Sequence, residues 1–548
     1  MTRRPYLFSA VLALSCVIAA ACSTGAQPHA DPEPLRTEAE LGALEDRPPC
    51  NNLDQMVRRA KRGYYPFRSP DLIFVAREPN YVGTAALPVH SGPWNYLTHV
   101  PLLAYGPRHI KSGTYSERAT VADLAPTAAK LMRYRAWPDR DGRPLTEMLK
   151  RGAQPPKLIV NVVWDGGGWN ALEAHPDKWP YLKRLMNRGG SYENFDIGSS
   201  PSVTPPIHTN LGTGSFPKTH GMISLKMRTR DWEHIDPFGR LDGSRMKVST
   251  LADKYDAARG NKPVTGMLGS VSWHLGMIGH GSDFPGGDKD PVALLGKTTG
   301  ATTTNEDIYS VPDISDPDKA LAFARALDAK DGKRDGKWRG HPLDTHEQIH
   351  YTPATADYEE WLLERLVRHK RFGADRVSDL LYVNFKTSDI AGHKFGMNSP
   401  EVGDVFKAQD ENLRRFVNFL DSRVGQGRWV LFLTADHGQM PYPRESGAWP
   451  IYGGELARDM NKVFDKTNDD INLISSVGAA GIYVRLDKLQ ANDASLWKMA
   501  RWVAGYTIRE NLKEGEQMPA RFEGRGDELL MDAVLVRNKL AAVTCRRA

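Results

Sequence analysis

Five ionisable residues stand just past apolar runs, and their types suit metal-assisted hydrolysis. Asp165 follows Leu-Ile-Val-Asn-Val-Val-Trp and precedes three glycines; Asp389 and His393 lie in SDIAGH; Asp436 and His437 lie in TADHG. Carboxylate and imidazole without thiolate form a donor set for Zn²⁺ or a similar divalent ion in a site open to substrate. The i, i+4 spacing of Asp389 and His393 lets one helical turn carry both to the same ion. Adjacent Asp436 and His437 suit a tight turn at a strand end. Singly, Asp-Gly is an ordinary turn and each pair an ordinary loop feature. The argument for a site is that the strand-to-cluster phasing repeats three times.

Thr204, in SVTPPIHTNLGTG, adds a hydroxyl. Proline is favoured in the first turn of a helix, so Thr204 is expected at or next to a helix N-cap, beside free N–H groups and the positive end of the dipole. A threonine there is most often only a cap. The same geometry also suits a nucleophile, since a metal-bound hydroxyl ionises more readily and the amides can receive phosphate oxygens.

These positions require strands that end together. Asp71–Arg77, Val100–Tyr105, Leu158–Trp164, Pro263–Leu268, Leu380–Phe385 and Trp429–Thr434 read as strands, several of them nearly continuous apolar runs. Such runs belong to strands covered on both faces. Val121–Arg133, Pro180–Asn187, Tyr358–Arg371 and Val405–Leu420 read as helices. The alternation predicts an α/β fold with a largely parallel central sheet flanked by helices, whose ligands sit at the carboxyl ends of the strands. The Gly-, Asp- and Lys-rich stretch from about 270 to 355 has weak periodicity and reads as an inserted cap over the site.

The order Asp165, Thr204, Asp389/His393, Asp436/His437 resembles the alkaline phosphatase superfamily, and most closely its type I phosphodiesterase and nucleotide pyrophosphatase branch. SVTPPIHTNLGTGSFPKTHGM resembles that branch's nucleophile segment, and DIAGH and ADHG resemble its two later metal motifs. The resemblance spans roughly residues 157–486. It implies two divalent ions, with zinc the best-suited metal. Asp165, Thr204, Asp436 and His437 would surround one ion, and Asp389 and His393 would hold the other, with Thr204 as nucleophile.

The family's second ion takes one more histidine from a late segment, yet no histidine follows His437. The segment that resembles the missing one lies upstream: His90-Ser-Gly-Pro-Trp-Asn-Tyr-Leu-Thr-His-Val-Pro-Leu-Leu-Ala-Tyr-Gly. ATVADLAPTAAKLM and DGRPLTEML resemble the tail that follows it, and YYPFRSPDLIFVAREPNY the strand that precedes it. The resemblance therefore implies that His90 completes the site and that the chain is circularly permuted. Residues 50–150 would complete a single catalytic domain spanning 50–548, and permutation is tolerated where native termini lie close together. The competing reading is a separate N-terminal domain beside a degraded metal site.

Two departures bear on substrate. Leu225 falls where relatives carry a phosphate-binding Asn. The segment GSVSWHLGMIGH (269–280) lacks the Lys and Arg that one monoesterase branch places there. His274 and His280 in that segment are either substrate contacts or ordinary loop residues. No C-x-P-x-R sequence occurs, which disfavours the sulfatase branch. The reading is a phosphodiesterase or pyrophosphatase acting on a small phosphorylated substrate. The alternatives are a phosphomonoesterase, a phosphonate hydrolase, or a non-catalytic lipoprotein that binds phosphoryl ligands.

Composition sets the remaining bounds. The 548 residues include 72 Lys and Arg against 66 Asp and Glu, a balance that implies no nucleic-acid partner. Arg3 and Arg4 precede a short apolar stretch (Tyr6 to Ala21) that ends at Cys22, as in an export signal. Cys22 is expected to be lipidated, giving a lipid anchor in the bacterial cell envelope; the alternative is a plain secretory signal with an incidental cysteine. Residues 23–49 read as a flexible linker. In an oxidising compartment Cys50 and Cys545 form a natural disulfide pair, against two free or buried thiols. No sequence feature specifies an oligomer.

Overall fold

A computed structural model describes residues 50–467 and 469–543. The export signal with Cys22, the linker and Cys545 lie outside the described residues. Among the described residues, no helix is long and apolar enough to cross a membrane.

Thirteen strands matter here: β1 (Leu72–Ala76), β2 (Leu102–Tyr105), β3 (Gly113–Tyr115), β4 (Leu158–Trp164), β5 (Gly190–Tyr192), β6 (Thr265–Gly269), β7 (Val292–Leu295), β8 (Thr302–Thr303), β9 (Asp379–Phe385), β10 (Trp429–Thr434), β11 (Ile474–Gly478), β12 (Gly481–Val484) and β13 (Met531–Val536). Nine form the central sheet in the order β8-β7-β6-β9-β4-β10-β2-β5-β3. The five strands from β7 to β10 in that order are mutually parallel. Every residue of β4, β9 and β10 is buried, as the apolar runs predict for a sheet covered on both faces.

Six helices position the site: α1 (Cys50–Gly63), α2 (Leu124–Leu131), α3 (Thr204–Thr213), α4 (Pro353–Lys370), α5 (Thr387–Phe395) and α6 (Pro400–Leu420). One hydrophobic layer packs α4 and α6 against the sheet, and another packs α2 and α3. Both α4 and α6 begin about a turn before the sequence pattern suggests. Thr352 and Ser399 cap them by accepting from Ala354 N–H and Val402 N–H, with a proline at the first helical position of each.

The stretch 270–355 is not simply a cap. Residues Val292–Leu295 and Thr302–Thr303 enter the central sheet as β7 and β8. These strands are too short to show a period of their own in the sequence.

The ends of the described chain interlock. β1 is an interior strand of a second sheet, ordered β11-β12-β1-β13, whose other members all come from the carboxyl-terminal part. Leu72 pairs with Val536 on one side and Ile482 on the other. Lys61 Nζ in α1 donates to the Val543 carbonyl at 2.7 Å. Asp71, fully buried, accepts from Arg228 at 2.6 and 3.1 Å and from Arg537 at 2.8 Å.

Candidate metal centre and nucleophile

Register brings the clusters together. Within the sheet β4 lies between β9 and β10, with Phe385 opposite Trp164 and Thr434 opposite Val163. The residues that follow, Asp165, Lys386 and Asp436, therefore leave the carboxyl edge side by side. β2 runs antiparallel to β10 with Leu102 opposite Thr434, so the chain entering β2 crosses that same edge and carries His90 there. Gly166 adopts φ +69°, and a Cβ on it would lie 3.1 Å from Asp389 Cα; glycine lets α5 approach the β4 turn.

The first donor set is His90, Asp389 and His393. Asp389 Oδ1 lies 3.4 Å from His90 Nε2 and 3.3 Å from His393 Nε2. Each Nδ1 faces a backbone carbonyl, Ser202 for His90 and Pro88 for His393, both at 2.7 Å. A carbonyl only accepts, so both Nδ1 atoms carry the proton and both Nε2 lone pairs point at the carboxylate. That is the arrangement of imidazoles prepared for a metal. Burial, reinforced by the stacked His437 ring, pushes His90 down to about 3, keeping it neutral. Asp389 Oδ1 is buried without a hydrogen-bond partner. Two Nε2 nitrogens and one orphaned carboxylate oxygen fit a catalytic divalent ion, which typically takes three protein ligands. The His393 side chain is 25% exposed, so the set is reached from solvent.

The second set is Asp165, Thr204, Asp436 and His437, all buried. His437 Nε2 lies 3.2 Å from Asp436 Oδ2 and 3.5 Å from Asp165 Oδ1. Burial opposes charge on His437, but Asp436, Asp389 and Asp165 outweigh it and lift the imidazole to about 9. Lys386 stands among these groups. Its Nζ is 2.8 Å from Asp165 Oδ1, 2.7 Å from Asp389 Oδ2 and 3.2 Å from Thr204 Oγ1. Asp165 Oδ2 accepts from Asn384 at 2.9 Å. Asp165 Oδ1 and Thr204 Oγ1 are thus engaged by an ammonium group, whereas Asp436 Oδ2 and His437 Nε2 are buried without a hydrogen-bond partner, His437 Nδ1 faces the Gly438 carbonyl at 2.9 Å, and Asp165, Asp389 and His437 form a second candidate ligand group. Burial works against the Lys386 charge, and Asp165, Asp389 and Asp436 overcome it, raising its pKa.

Thr204 is the first residue of α3, with Val203 at the N-cap and no side-chain capping bond. Its hydroxyl is therefore not occupied as a cap. The expected cradle of amides is smaller than the helix start suggests, because Pro205 and Pro206 carry no N–H.

The two histidines of 269–280 separate. His274 is fully buried, with Nε2 3.6 Å from Asp165 Oδ2. Its Nδ1 accepts from the Ser270 amide at 3.1 Å, so in the neutral ring Nε2 carries the proton. At 3.6 Å from Asp165 Oδ2, Nε2 makes no hydrogen bond and is buried without a partner. His280 instead pairs with Asp253 at 2.8 Å, away from the metal-binding sets. Leu225 leads from the buried run Met222–Ser224 and offers no polar atom to a phosphate.

Lys386, His208, Asn384 and Glu359 were not singled out as site residues by the sequence pattern. His208 follows Thr204 by one helical turn, donates through Nδ1 to the Thr204 carbonyl at 2.9 Å and meets Asn384 Nδ2 at 2.9 Å. Glu359, fully buried, accepts from Thr387 Oγ1 at 2.9 Å. The available signal for Lys386 was its i, i+3 spacing from Asp389.

Comparison with known proteins establishes the family. Alkaline phosphatase PafA of Elizabethkingia meningoseptica is 27% identical over 371 residues, covering 57% of this chain and 65% of PafA. Alkaline phosphatase PhoV of Synechococcus elongatus is 25% identical over 336 residues, covering 53% of this chain and 60% of PhoV. The chain thus spans a little under two thirds of the length of these relatives. The crystal structure of PafA superposes with a TM-score of 0.53 at 18% identity, over 70% of this chain and 84% of that one, and shares its fold. Residues 159–539 match the type I phosphodiesterase / nucleotide pyrophosphatase family, and the chain belongs to that family, within the alkaline phosphatase superfamily.

Proposed function

We propose that the protein is an exported, metal-dependent phosphoester hydrolase in which Thr204 is the nucleophile, with diesters or pyrophosphates preferred. The observation that carries the reading is the uncapped Thr204 hydroxyl, held by Lys386 Nζ at 3.2 Å beside a carboxylate shared with the His90–Asp389–His393 set. Of the two ions the family resemblance implies, His90, Asp389 and His393 would hold one and Asp165, Thr204, Asp436 and His437 would surround the other, and zinc suits these donors. An ion held there supplies electrostatic stabilisation to the phosphoryl group and its leaving oxygen.

Thr204 Oγ1 forms a bond to phosphorus as the bond to the leaving oxygen breaks, and the Thr204 proton ends on the departing alcohol. Lys386 steadies negative charge on Oγ1 as it attacks. Water then cleaves the phosphothreonine, returning a proton to Thr204 and releasing phosphate or its monoester. Asp165, fixed by Lys386 and Asn384, orients this cation against the nucleophile.

The diester preference rests on what the phosphate would not meet. Leu225 is apolar, and residues 269–280 contain no Lys or Arg, so a substrate with fewer charged terminal oxygens is the better match. The names of the curated relatives favour the second reading, a monoesterase. Turnover of bis-p-nitrophenyl phosphate against p-nitrophenyl phosphate decides between them, with Thr204→Ala as control.

The same reading takes residues 50–150 as the displaced end of the catalytic domain. Its support is the interior place of β1 among carboxyl-terminal strands and the delivery of His90 by the segment leading into β2. Export and the lipid anchor at Cys22 rest on the leader sequence.

A further inference from the structure

We propose that Asp256, Asp288 and Asp290 form a binding site for a calcium ion, apart from the metal centre and on the opposite edge of the central sheet. The proposal does not rest on the hydrolase reading. One carboxylate oxygen from each residue lies within 4.8 Å of the other two. Asp256 sits in the last turn of the helix Leu251–Ala258, which leads into β6. Asp290 comes two residues before β7, and its Oδ1 accepts from the hydroxyl of Thr265, the first residue of β6. β6 and β7 run parallel to each other and to β9 and β4. These carboxylates therefore stand at the amino ends of the strands, whereas Asp165, Lys386 and Asp436 leave the carboxyl edge.

The group lacks a counter-charge. Asp256 is 3% exposed, and its Oδ1 is buried without a hydrogen-bond partner. Burial, Asp288 and Asp253 all oppose its charge and lift its carboxyl to about 7. Burial also pushes Asp290 well up, against the Thr265 bond, with Asp256, Asp288 and Asp253 adding to it. Lys289, between two of the three, sends its Nζ to the Glu306 carbonyl instead, at 2.7 Å. The helix Leu251–Ala258 has no basic residue in its last turn, where the dipole also disfavours a carboxylate. Asp253, one turn earlier, is already taken up by Thr250 and His280. Like charges so placed repel strongly, because a buried site screens them poorly, and a divalent cation removes that repulsion. Oxygen donors without imidazole or thiolate select a hard ion. Ca²⁺, with about 6–8 oxygens in flexible geometry at ~2.3–2.6 Å, suits them better than Mg²⁺, which needs a near-ideal octahedron and keeps several waters. Asp288 is exposed, so water can complete the shell. The ion would tie the helix before β6 to the loop that enters β7.

The test is calorimetric titration of the purified full-length protein with CaCl₂ after saturation with Zn²⁺, which fills the catalytic donors. One Ca²⁺ per wild-type chain is expected, with a Kd of about 10⁻⁴–10⁻³ M, as in extracellular calcium modules. Asp288→Ala removes an exposed side chain and should leave the fold intact; Asp256→Asn keeps the buried shape and removes the charge. Each is expected to weaken binding by about 10-fold or more, since ligand charge sets calcium affinity. Ca²⁺ should also raise the thermal midpoint of the wild type and not that of Asp288→Ala. A wild-type protein that gives no calcium heat up to about 10 mM, well above that Kd range, overturns the proposal, the carboxylates then being held by shared protons. A calcium signal that Asp288→Ala leaves unchanged belongs to another site and overturns it as well. Hydrolysis is scored separately: absence of turnover of either nitrophenyl ester sinks the hydrolase reading and leaves the calcium site in place.

Discussion

His90 Nε2 lies 3.4 Å from Asp389 Oδ1, although the two residues sit in segments far apart in the sequence. The contact is held from both sides. Ser202 fixes the His90 ring through Nδ1, and Pro88, two residues before His90, fixes His393 across 305 residues of sequence. The loop before β2 is therefore as much a part of the metal centre as α5 is. Removing one of three ligands should be severe, since loss of even a ligand's outer partner costs about 10–100-fold in affinity or activity. His90→Ala is expected to lose its bound ion and more than about 100-fold in turnover while retaining its circular dichroism spectrum. A fully metallated, active variant would exclude His90 from the site.

Thr204→Ala separates chemistry from metal binding. The hydroxyl belongs to neither histidine ligand nor cap, so the His90–Asp389–His393 set is expected to keep its ion. Turnover should fall by about 10³-fold or more, as for a nucleophile removed from an otherwise intact site. Stopped-flow release of p-nitrophenol, with metal content measured on the same samples, checks both halves. Activity within a few-fold of the parent would end the covalent mechanism.

Asp71 tests the coupling of the chain's two ends. It sits just before β1, while Arg537 follows β13 and Arg228 comes from between them. The Arg228 and Asp71 side chains are 3% and 0% exposed. Truncating Asp71 leaves a buried guanidinium uncompensated, which costs about 3–5 kcal/mol. Asp71→Ala is expected to lower the urea midpoint accordingly, and Arg537→Ala less, because that side chain is 16% exposed. Equal, small effects would show that the interlocked sheet does not depend on this carboxylate.

What could be read from the sequence follows from range. The strands that end at Asp165, Asp389 and Asp436 are apolar runs long enough to announce themselves. The common edge follows from parallel pairing, which any α/β pattern implies. His90 was legible only through the likeness of its segment to a known late one, since spacing alone does not connect it to Asp389. Lys386 belongs to no motif, and only the register of β9 on β4 sets it beside Asp165. Asp71 gave no signal, because its partners lie 157 and 466 positions away. β7 and β8 were hidden in a stretch read as cap, because strands of four and two residues carry too little period to be seen.

Glu359 provides a pH test that does not touch the ligands. It is fully buried in α4, and burial lifts its carboxyl to about 8 despite hydrogen bonds from Thr387, the Lys386 amide and Ser270. A carboxyl with a raised folded-state pKa contributes most to stability below its unfolded value, and that contribution is lost as pH rises toward the folded value. Between pH 6 and 8 the loss amounts to about 2–3 kcal/mol at 1.36 kcal/mol per unit. Gln in this place mimics the neutral acid: its Oε1 can accept from the Lys386 amide, and its Nε2 can donate to Thr387 Oγ1. The expected outcome is that the thermal midpoint of Glu359→Gln exceeds the parent's by a margin that widens from pH 6 to pH 8, because only the parent loses this contribution over that range. Asp379 and Asp256, each lifted by burial to about 7, contribute equally to both proteins, so the difference between the two curves isolates Glu359. Parallel curves from pH 6 to 9 would show that Glu359 is already ionised in the folded protein, with its charge held by the Lys386 and Thr387 donors.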